Sequence, residues 1–290
     1  MRFAIGIYFC MLEELVGTDI AKAVGSEVAL AELRMRVNRP LVACRIDGTR
    51  AVVSKFGAPY IVRQKDIDDV MTRATDMSYY SASEEMKRGY VPCKHYRIGV
   101  CGEGVLEDGR LMSVKNVAFV TIRIPHQIKG VADKISNDVL KDGRVRSTLV
   151  ISPTGAGKTT LLRELARVAS ARYNVVVIDE RYELCAMSKG VPLLDIGDCD
   201  VVSGIPKKYA YENCVRAMNP DVIVTDELFG QEDVKAILDV MRCGVNVFAS
   251  LHGDSIEGAL KSDFAPLAKA FEVVVVLGKN PVGHIVEKRV

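Results

Sequence analysis

A nine-residue segment near the middle of the chain has the composition of a loop that binds phosphate groups. It runs Ser152-Pro153-Thr154-Gly155-Ala156-Gly157-Lys158-Thr159-Thr160. In such loops, glycines let backbone N–H groups turn toward a phosphate, a lysine reaches the β and γ oxygens, and the next hydroxyl ligates Mg²⁺. The segment departs from the GxxxxGK[ST] pattern at Ser152, where a glycine is expected and where serine is small enough for the same turn. We predict a nucleotide site whose binding residues are Thr154, Gly155, Ala156, Gly157, Lys158, Thr159 and Thr160.

Two acidic pairs follow runs of four β-branched residues. The first pair is Asp179-Glu180 and the second is Asp226-Glu227. Nucleotide hydrolysis needs a carboxylate in the metal shell and a base that orients the attacking water, both at the carboxyl ends of strands near the phosphate loop. We predict that Asp226 shares Mg²⁺ with Thr159, that Glu227 orients the water and that Glu180 is an auxiliary carboxylate. Spacing alone does not decide which pair holds the metal and orients the water, so the reverse assignment of the two pairs stays open.

A further apolar run ends in Ala249–Gly253 (ASLHG), which brings a hydroxyl and an imidazole toward the same edge of the sheet. His252 is therefore a candidate for contacting the γ-phosphate. The remaining histidines, His95, His126 and His284, have no ligand spacing with one another, and the eight cysteines include no CxxC pair. The sequence thus predicts no metal site beyond magnesium.

The second half of the chain alternates short apolar runs with helical stretches. The runs are Leu149–Ile151, Val175–Ile178, Val222–Thr225, Val245–Leu251 and Val273–Leu277. Apolar residues without alternation are typical of parallel strands that are covered on both faces. We therefore predict a doubly wound α/β domain over residues 147–290.

The first part of the chain, residues 1–125, mixes helical and strand patterns and predicts a smaller α+β domain. Glu27–Val37 has helix-forming composition and stops before Pro40. Asp47-Gly48 readily supplies the positive φ angles of a two-residue type I′ turn, so a hairpin is expected around it. Further helices are predicted at Asp66–Thr75 and Ser81–Gly89, and strands at Tyr96–Val100, Leu111–Val114 and Val117–Ile124.

Residues 126–146 are expected to connect the two domains. Apolar residues recur at helical spacing from Ile128 to Leu140, until Asp142-Gly143 ends the pattern. The segment therefore predicts a connecting helix and a linker.

Length and charge narrow the class of protein. The chain has 290 residues, 49% of them hydrophobic, and 39 basic against 37 acidic side chains, which gives a formal net charge of +2. Such a composition excludes disorder as the main state, and near balance of charge gives no footprint for nonspecific nucleic-acid binding. No apolar run approaches the ~18–20 residues that span a bilayer. The sequence also lacks an N/TKxD motif for guanine recognition.

Several segments, taken in order, resemble the stage III sporulation protein AA family. They are Ala31–Leu41 (AELRMRVNRPL), Ser81–Val91 (SASEEMKRGYV), Arg97–Gly99 (RIG), Thr121–Pro125 (TIRIP), the phosphate loop, Val177–Arg181 (VIDER) and Pro220–Glu227 (PDVIVTDE). The resemblance covers nearly the whole chain. The family looks like a branch of the secretion ATPases of type II and type IV systems, which implies an α/β fold with a RecA-like P-loop NTPase core and a smaller N-terminal α+β domain.

The resemblance also implies roles for particular residues. Asp179-Glu180 corresponds to the acidic box, Asp226-Glu227 to the Walker B motif and Ser250–Gly253 to the histidine box, which favours His252 as a γ-phosphate contact. Secretion ATPases use arginines near the end of the N-terminal domain against the nucleotide phosphates. Arg123 corresponds to such a residue, and a guanidinium there would neutralise developing charge.

The function implied is that of an ATPase that hydrolyses Mg²⁺-ATP as a ring, a hexamer, and energises a membrane-embedded sporulation channel between mother cell and forespore. Its expected place is cytoplasmic and peripheral at the membrane, on the mother-cell side, with no nucleic acid as a partner. Two alternatives stay open. One is a scaffold whose assembly is set by nucleotide with little turnover, and the other is a P-loop ATPase associated with nucleic acid.

Overall fold

The computed structural model describes residues 12–25, 30–75, 82–93, 96–124, 126–187 and 190–290. The chain divides into two compact units, Met1–His126 and Gln127–Val290. Among the described residues, no helix is both long enough and apolar enough to cross a membrane.

The first unit is built on one antiparallel sheet of six strands. Its helices are α1 Thr18–Val24, α2 Gln64–Ala74 and α3 Ser83–Lys87, and its strands are β1 Leu30–Arg36, β2 Val42–Arg45, β3 Arg50–Val52, β4 Ser54–Lys55, β5 Ala58–Pro59, β6 Tyr90–Cys93, β7 Tyr96–Glu107 and β8 Arg110–Arg123. The sheet order is β3-β2-β1-β8-β7-β6, while β4 and β5 form a separate small ribbon. The buried face of α2 packs into the same core as the inward side chains of β1 and β8.

The helix predicted at Glu27–Val37 is wrong, because residues 30–36 form the strand β1. Residues 26–29 lie outside the described part of the chain. Leu33 and Met35 are fully buried at alternate positions, as a strand requires, and β1 pairs with β2 on one side and β8 on the other. Pairing on both edges and burial of one face thus outweigh the weak helical propensity of this segment.

The hairpin predicted around Asp47-Gly48 is present, but its turn differs from the predicted one. The backbone of Asp47 has a negative φ and Gly48 has a φ of 84°, while Gly48 N donates to Arg45 O at 3.0 Å. Such a turn is a three-residue loop with glycine in the left-handed position, not the predicted type I′ turn. In the β7–β8 hairpin both Asp108 and Gly109 have positive φ, at 49° and 74°, which is the type I′ pattern. There the two strands predicted on either side of Asn116 join into one long strand, β8.

The second unit is an α/β layer structure around a seven-stranded sheet. Its strands are β9 Leu140–Lys141, β10 Arg144–Val145, β11 Thr148–Ser152, β12 Val175–Asp179, β13 Asp200–Ser203, β14 Val222–Thr225, β15 Asn246–His252, β16 Val273–Lys279 and β17 Val282–Arg289, and its helices are α4 Asp133–Val139, α5 Lys158–Ser170, α6 Lys207–Ala217, α7 Gly230–Arg242, α8 Ile256–Leu260 and α9 Ala265–Ala270. The main sheet has the order β13-β12-β14-β15-β11-β16-β17. Every pairing in it is parallel except β16 with β17.

Side chains of the central strands alternate between two separate cores. Leu149 and Ile151 pack with α7 on one face of the sheet, while Val150 packs with α5 on the opposite face. Because both faces are covered, the central strands are mostly apolar and lack the alternation of polar and apolar residues seen in half-exposed strands. All five strands predicted from those runs are present.

The segment expected to connect the domains packs into the second unit. Its helix, α4, is shorter than predicted and begins at Asp133. The backbone ahead of it is fixed by buried Glu164 of α5, whose carboxylate accepts a hydrogen bond from Gly130 N at 2.7 Å and another from Arg167 at 2.8 Å. Arg167 lowers the pKa of Glu164, so the carboxylate stays ionised and continues to hold the chain at Gly130.

Candidate functional site

The phosphate loop joins β11 to α5, and its glycines adopt backbone angles that other residues rarely take. Gly155 has a φ of 81°, and Gly157, the residue before α5, has a φ of 95°. Left-handed backbone of this kind is open to glycine without strain. The glycines therefore allow the loop to present N–H groups to a phosphate at the N-terminus of α5, the positive end of the helix dipole.

Lys158 is a buried cation at the centre of this loop. Its Nζ donates to Ser152 O at 3.0 Å and lies 3.4 Å from Pro153 O. Burial lowers the pKa of Lys158, since the charged form loses hydration. The carbonyl contacts place the ammonium group across the loop, where it can meet the β and γ oxygens of a nucleotide.

The hydroxyl of Thr159 meets the first carboxylate of the second acidic pair. Thr159 Oγ1 donates to Asp226 Oδ2 at 2.5 Å. Both Asp226 oxygens are engaged, because Oδ1 accepts hydrogen bonds from Ser250 Oγ and from Glu227 N. A hydroxyl and a carboxylate on opposing elements are the hard oxygen ligands that Mg²⁺ takes beside substrate phosphates. Thr159 and Asp226 therefore fit the predicted metal ligands.

Glu227 has a left-handed backbone, with a φ of 50°, which is uncommon for a residue with a side chain. Its N–H donates to Ser250 Oγ at 2.9 Å, and its carboxylate pairs with Arg181, which follows the first acidic pair. Both side chains of this ion pair are partly exposed, so the pair itself adds little to stability. Glu227 and Glu180 both line a small cleft at this ion pair.

Lys207, the first residue of α6, contacts the main chain of the Asp226-Glu227 pair. Its half-buried ammonium group donates to the main-chain carbonyl oxygens of Asp226 and Glu227, the latter at 2.6 Å. Burial lowers the pKa of Lys207, and the nearby carboxylates oppose that shift. No sequence pattern points to Lys207, since it lies about twenty positions before the carboxylates and only the fold brings them together.

Both carboxylate oxygens of Asp179 accept hydrogen bonds from main-chain N–H groups of the loop that follows β12. Oδ1 accepts from Glu183 N and Oδ2 from Cys185 N, each at 2.8 Å. Burial raises the pKa of Asp179 to about 6. Its contacts therefore shape the loop after β12. Glu180, half-buried beside it, lines the same small cleft as Asp179.

His252 ends β15 directly beside the start of the phosphate loop. It pairs in register with Ser152, and the next residue, Gly253, donates its N–H to Ser152 O at 3.3 Å. The His252 side chain is exposed. Arg123 is the last residue of β8 in the first unit, where its exposed guanidinium lies 3.8 Å from the carboxylate of Glu32. The roles predicted for His252 and Arg123 stay predictions.

Comparison with known proteins identifies the family of this chain. The model of the family "Sporulation stage III, protein AA" matches residues 12–286. The chain belongs to this family. A family member from Bacillus subtilis (strain 168), Stage III sporulation protein AA, is 32% identical over 240 residues, which cover 80% of this chain and 76% of that protein.

Two solved structures share the fold of this chain. The pilus retraction motor PilT with bound ADP aligns over 89% of this chain and 76% of its own, with a TM-score of 0.60 and 18% identity. The ATPase DotB of Legionella pneumophila aligns over 85% and 72%, with a TM-score of 0.55 and 14% identity. The predicted fold class is thus confirmed, with a RecA-like core and a smaller N-terminal sheet domain.

Proposed function

We propose that this chain is a Mg²⁺-dependent ATPase that works as a hexameric ring. The observation that carries the proposal is the 2.5 Å contact between Thr159 and Asp226 at the head of α5. It brings a hydroxyl and a carboxylate from separate strand ends to the place where the phosphates of a nucleotide would lie. Membership of a sporulation family and the fold of secretion ATPases support the same function.

Each residue of the site has a distinct task in this proposal. The loop from Thr154 to Thr160 and the Lys158 ammonium group bind the triphosphate, and Mg²⁺ held by Thr159 and Asp226 would neutralise charge on the phosphate oxygens. Glu227 leaves Arg181 and accepts a hydrogen bond from the attacking water. Glu180 stands beside it as an auxiliary carboxylate.

Two further residues would respond to the nucleotide. His252 contacts the γ-phosphate from the end of β15, and Arg123 supplies a positive charge to the phosphates from the first unit. Hydrolysis then removes the γ-phosphate, and these contacts are lost. The loss of these contacts would produce a motion that energises a membrane-embedded sporulation channel between mother cell and forespore. The ring would lie at the cytoplasmic face of the membrane on the mother-cell side.

The test of this function is the rate of phosphate release from Mg²⁺-ATP, measured per chain over a wide range of protein concentration. A ring with shared sites predicts that specific activity rises with concentration and then levels off. Added single-stranded or duplex nucleic acid is expected to leave the rate unchanged. A rate at background at every concentration contradicts the proposal and favours a scaffold whose assembly is set by nucleotide. Stimulation of the rate by nucleic acid favours a P-loop ATPase that is associated with nucleic acid.

A further inference from the structure

Arg181 forms an ion pair with the residue that is proposed to orient the attacking water. Its guanidinium group donates to Oε2 of the Glu227 carboxylate, and the two side chains are 51% and 41% exposed. The contact occupies one carboxylate oxygen and turns the group toward the loop after β12. Glu227 is therefore fully available to a water molecule only when Arg181 has a different partner.

The ion pair between Arg181 and Glu227 is of a kind that a phosphate can displace. Pairs of partly exposed side chains contribute little to stability, because water solvates both charges when they separate. A phosphate is a better partner for a guanidinium group, since arginine can donate two parallel hydrogen bonds to its oxygens. The terminal phosphate of a bound triphosphate can thus compete with Glu227 for Arg181.

The main chain around Arg181 is fixed, so that the side chain is the part that can change partner. The Asp179 carboxylate accepts two main-chain hydrogen bonds within this loop, and Asp179 O accepts another from Gly204 N at 3.2 Å. Tyr182 packs closely on Gly204, where an added Cβ atom would lie 2.9 Å from Tyr182 Cζ. Arg181 therefore projects from an anchored loop on a long side chain that has several rotamers.

The ion pair lies in the same charged site as the phosphate loop. Arg181, Asp226 and Glu227 line one small cleft, and Asp226 accepts a hydrogen bond from Thr159 at the start of α5. Burial lowers the pKa of Lys158 in the loop, and the negative charges of Asp226 and Glu227 oppose that shift. The guanidinium group is thus close to the end of the loop where a γ-phosphate is expected.

We infer that Arg181 detects the γ-phosphate by exchanging its ion pair with Glu227 for a contact to that phosphate, which releases Glu227 to orient the attacking water. The inference rests on the proposed function, because it takes the phosphate loop as the site of the triphosphate and Glu227 as the base. ADP offers no γ-phosphate, so the ion pair re-forms after hydrolysis and Glu227 is held idle. Arg181 thus makes the state of Glu227 depend on which nucleotide is bound.

Calorimetric titrations of the full chain with Mg²⁺ and either ATPγS or ADP test this contact. Arg181→Gln is expected to weaken ATPγS binding about tenfold, because charge-assisted hydrogen bonds to the γ-phosphate are lost, while ADP affinity stays within about threefold. Arg181→Lys keeps the charge without the planar fork and is expected to lose about threefold in ATPγS affinity. The matched control is Arg216→Gln, since Arg216 is a 77% exposed arginine in an ion pair with Glu212 on α6. This control is expected to leave both affinities unchanged.

The same substitution in the Glu227→Gln background separates a contact to the γ-phosphate from a purely structural ion pair. In that background Arg181 has no carboxylate at position 227 to hold. A direct contact predicts that adding Arg181→Gln still weakens ATPγS binding about tenfold. No further loss in the double variant overturns the inference, because Arg181 would then act on the nucleotide only through Glu227.

The remaining outcomes separate the inference from the function on which it rests. Equal losses of ATPγS and ADP affinity in Arg181→Gln, or no loss of either, overturn the inference and leave the ATPase intact. Failure of the unaltered chain to bind ATPγS overturns both proposals. Thermal unfolding of Arg181→Gln is expected to match that of the unaltered chain, because the ion pair that it removes is partly exposed.

Discussion

Replacing Glu227 with glutamine is expected to lower the rate of ATP hydrolysis at least ~100-fold, which corresponds to about 2.7 kcal/mol in the barrier. Glutamine keeps the size and the hydrogen-bonding capacity of the side chain but has no charge with which to accept a proton from water. Binding of ATP is expected to stay within about threefold, because the phosphate loop and Asp226 are untouched. Steady-state phosphate release and a nucleotide titration measure the two quantities.

Two further variants make this result specific. Glu232→Gln, an exposed substitution in the first turn of α7, is expected to hydrolyse ATP at the normal rate. Glu180→Gln tests the other acidic pair. A near-normal rate in Glu227→Gln together with a large loss in Glu180→Gln would move the base to Glu180, and the roles of the two pairs would be reversed.

Replacing Lys207 with methionine is expected to lower kcat about 10–100-fold while KM changes less than about threefold. Methionine fills a similar volume but cannot donate to the carbonyl oxygens of Asp226 and Glu227, which Lys207 now holds. The left-handed backbone of Glu227 then loses a support, and its carboxylate is no longer fixed over the water. Lys207 is a positioning residue in this view, because it acts through the main chain of the pair.

The split between kcat and KM separates positioning from general damage to the fold. Lys208→Met, one residue along α6 and exposed, is the matched control and is expected to behave as the unaltered chain. A thermal unfolding curve that stays unchanged in Lys207→Met excludes loss of structure as the cause. Equal kcat values in the two variants would show that Lys207 does not position Glu227.

Much of the second unit could be predicted from the sequence because its strands are covered on both faces. Burial on both sides leaves mostly apolar runs, and these runs predict β11, β12, β14, β15 and β16. No such run marks β13 and β17, the strands at the two ends of the sheet. Each has one uncovered edge and exposed side chains, so its sequence mixes polar with apolar residues.

The first unit shows the limit of local patterns. Residues 30–36 favour a helix by composition, and only the partners on both sides of β1 make this segment a strand. The turn at Asp47-Gly48 illustrates the same limit, because the dipeptide fits two hairpin loops and the surrounding strands select between them.

The candidate site also contains some residues that the sequence predicts and others that it does not. Lys158 and Thr159 lie in one continuous motif, and Asp226 follows a recognisable strand, so all three could be named before the structure. Lys207 and the ion pair of Arg181 with Glu227 could not, since they join residues that are far apart in the sequence. Long-range contacts of single side chains leave no periodic trace in a sequence.

The affinity of the chain for ATPγS, measured with excess Mg²⁺ and again with EDTA, tests most directly whether Thr159 and Asp226 form a site for a metal-bound nucleotide. The unaltered chain is predicted to bind at least ~10-fold more tightly with Mg²⁺, because the ion links the phosphates to both oxygen ligands. Asp226→Asn is predicted to lose most of that difference. Equal affinity with and without Mg²⁺ in the unaltered chain would contradict the proposed site.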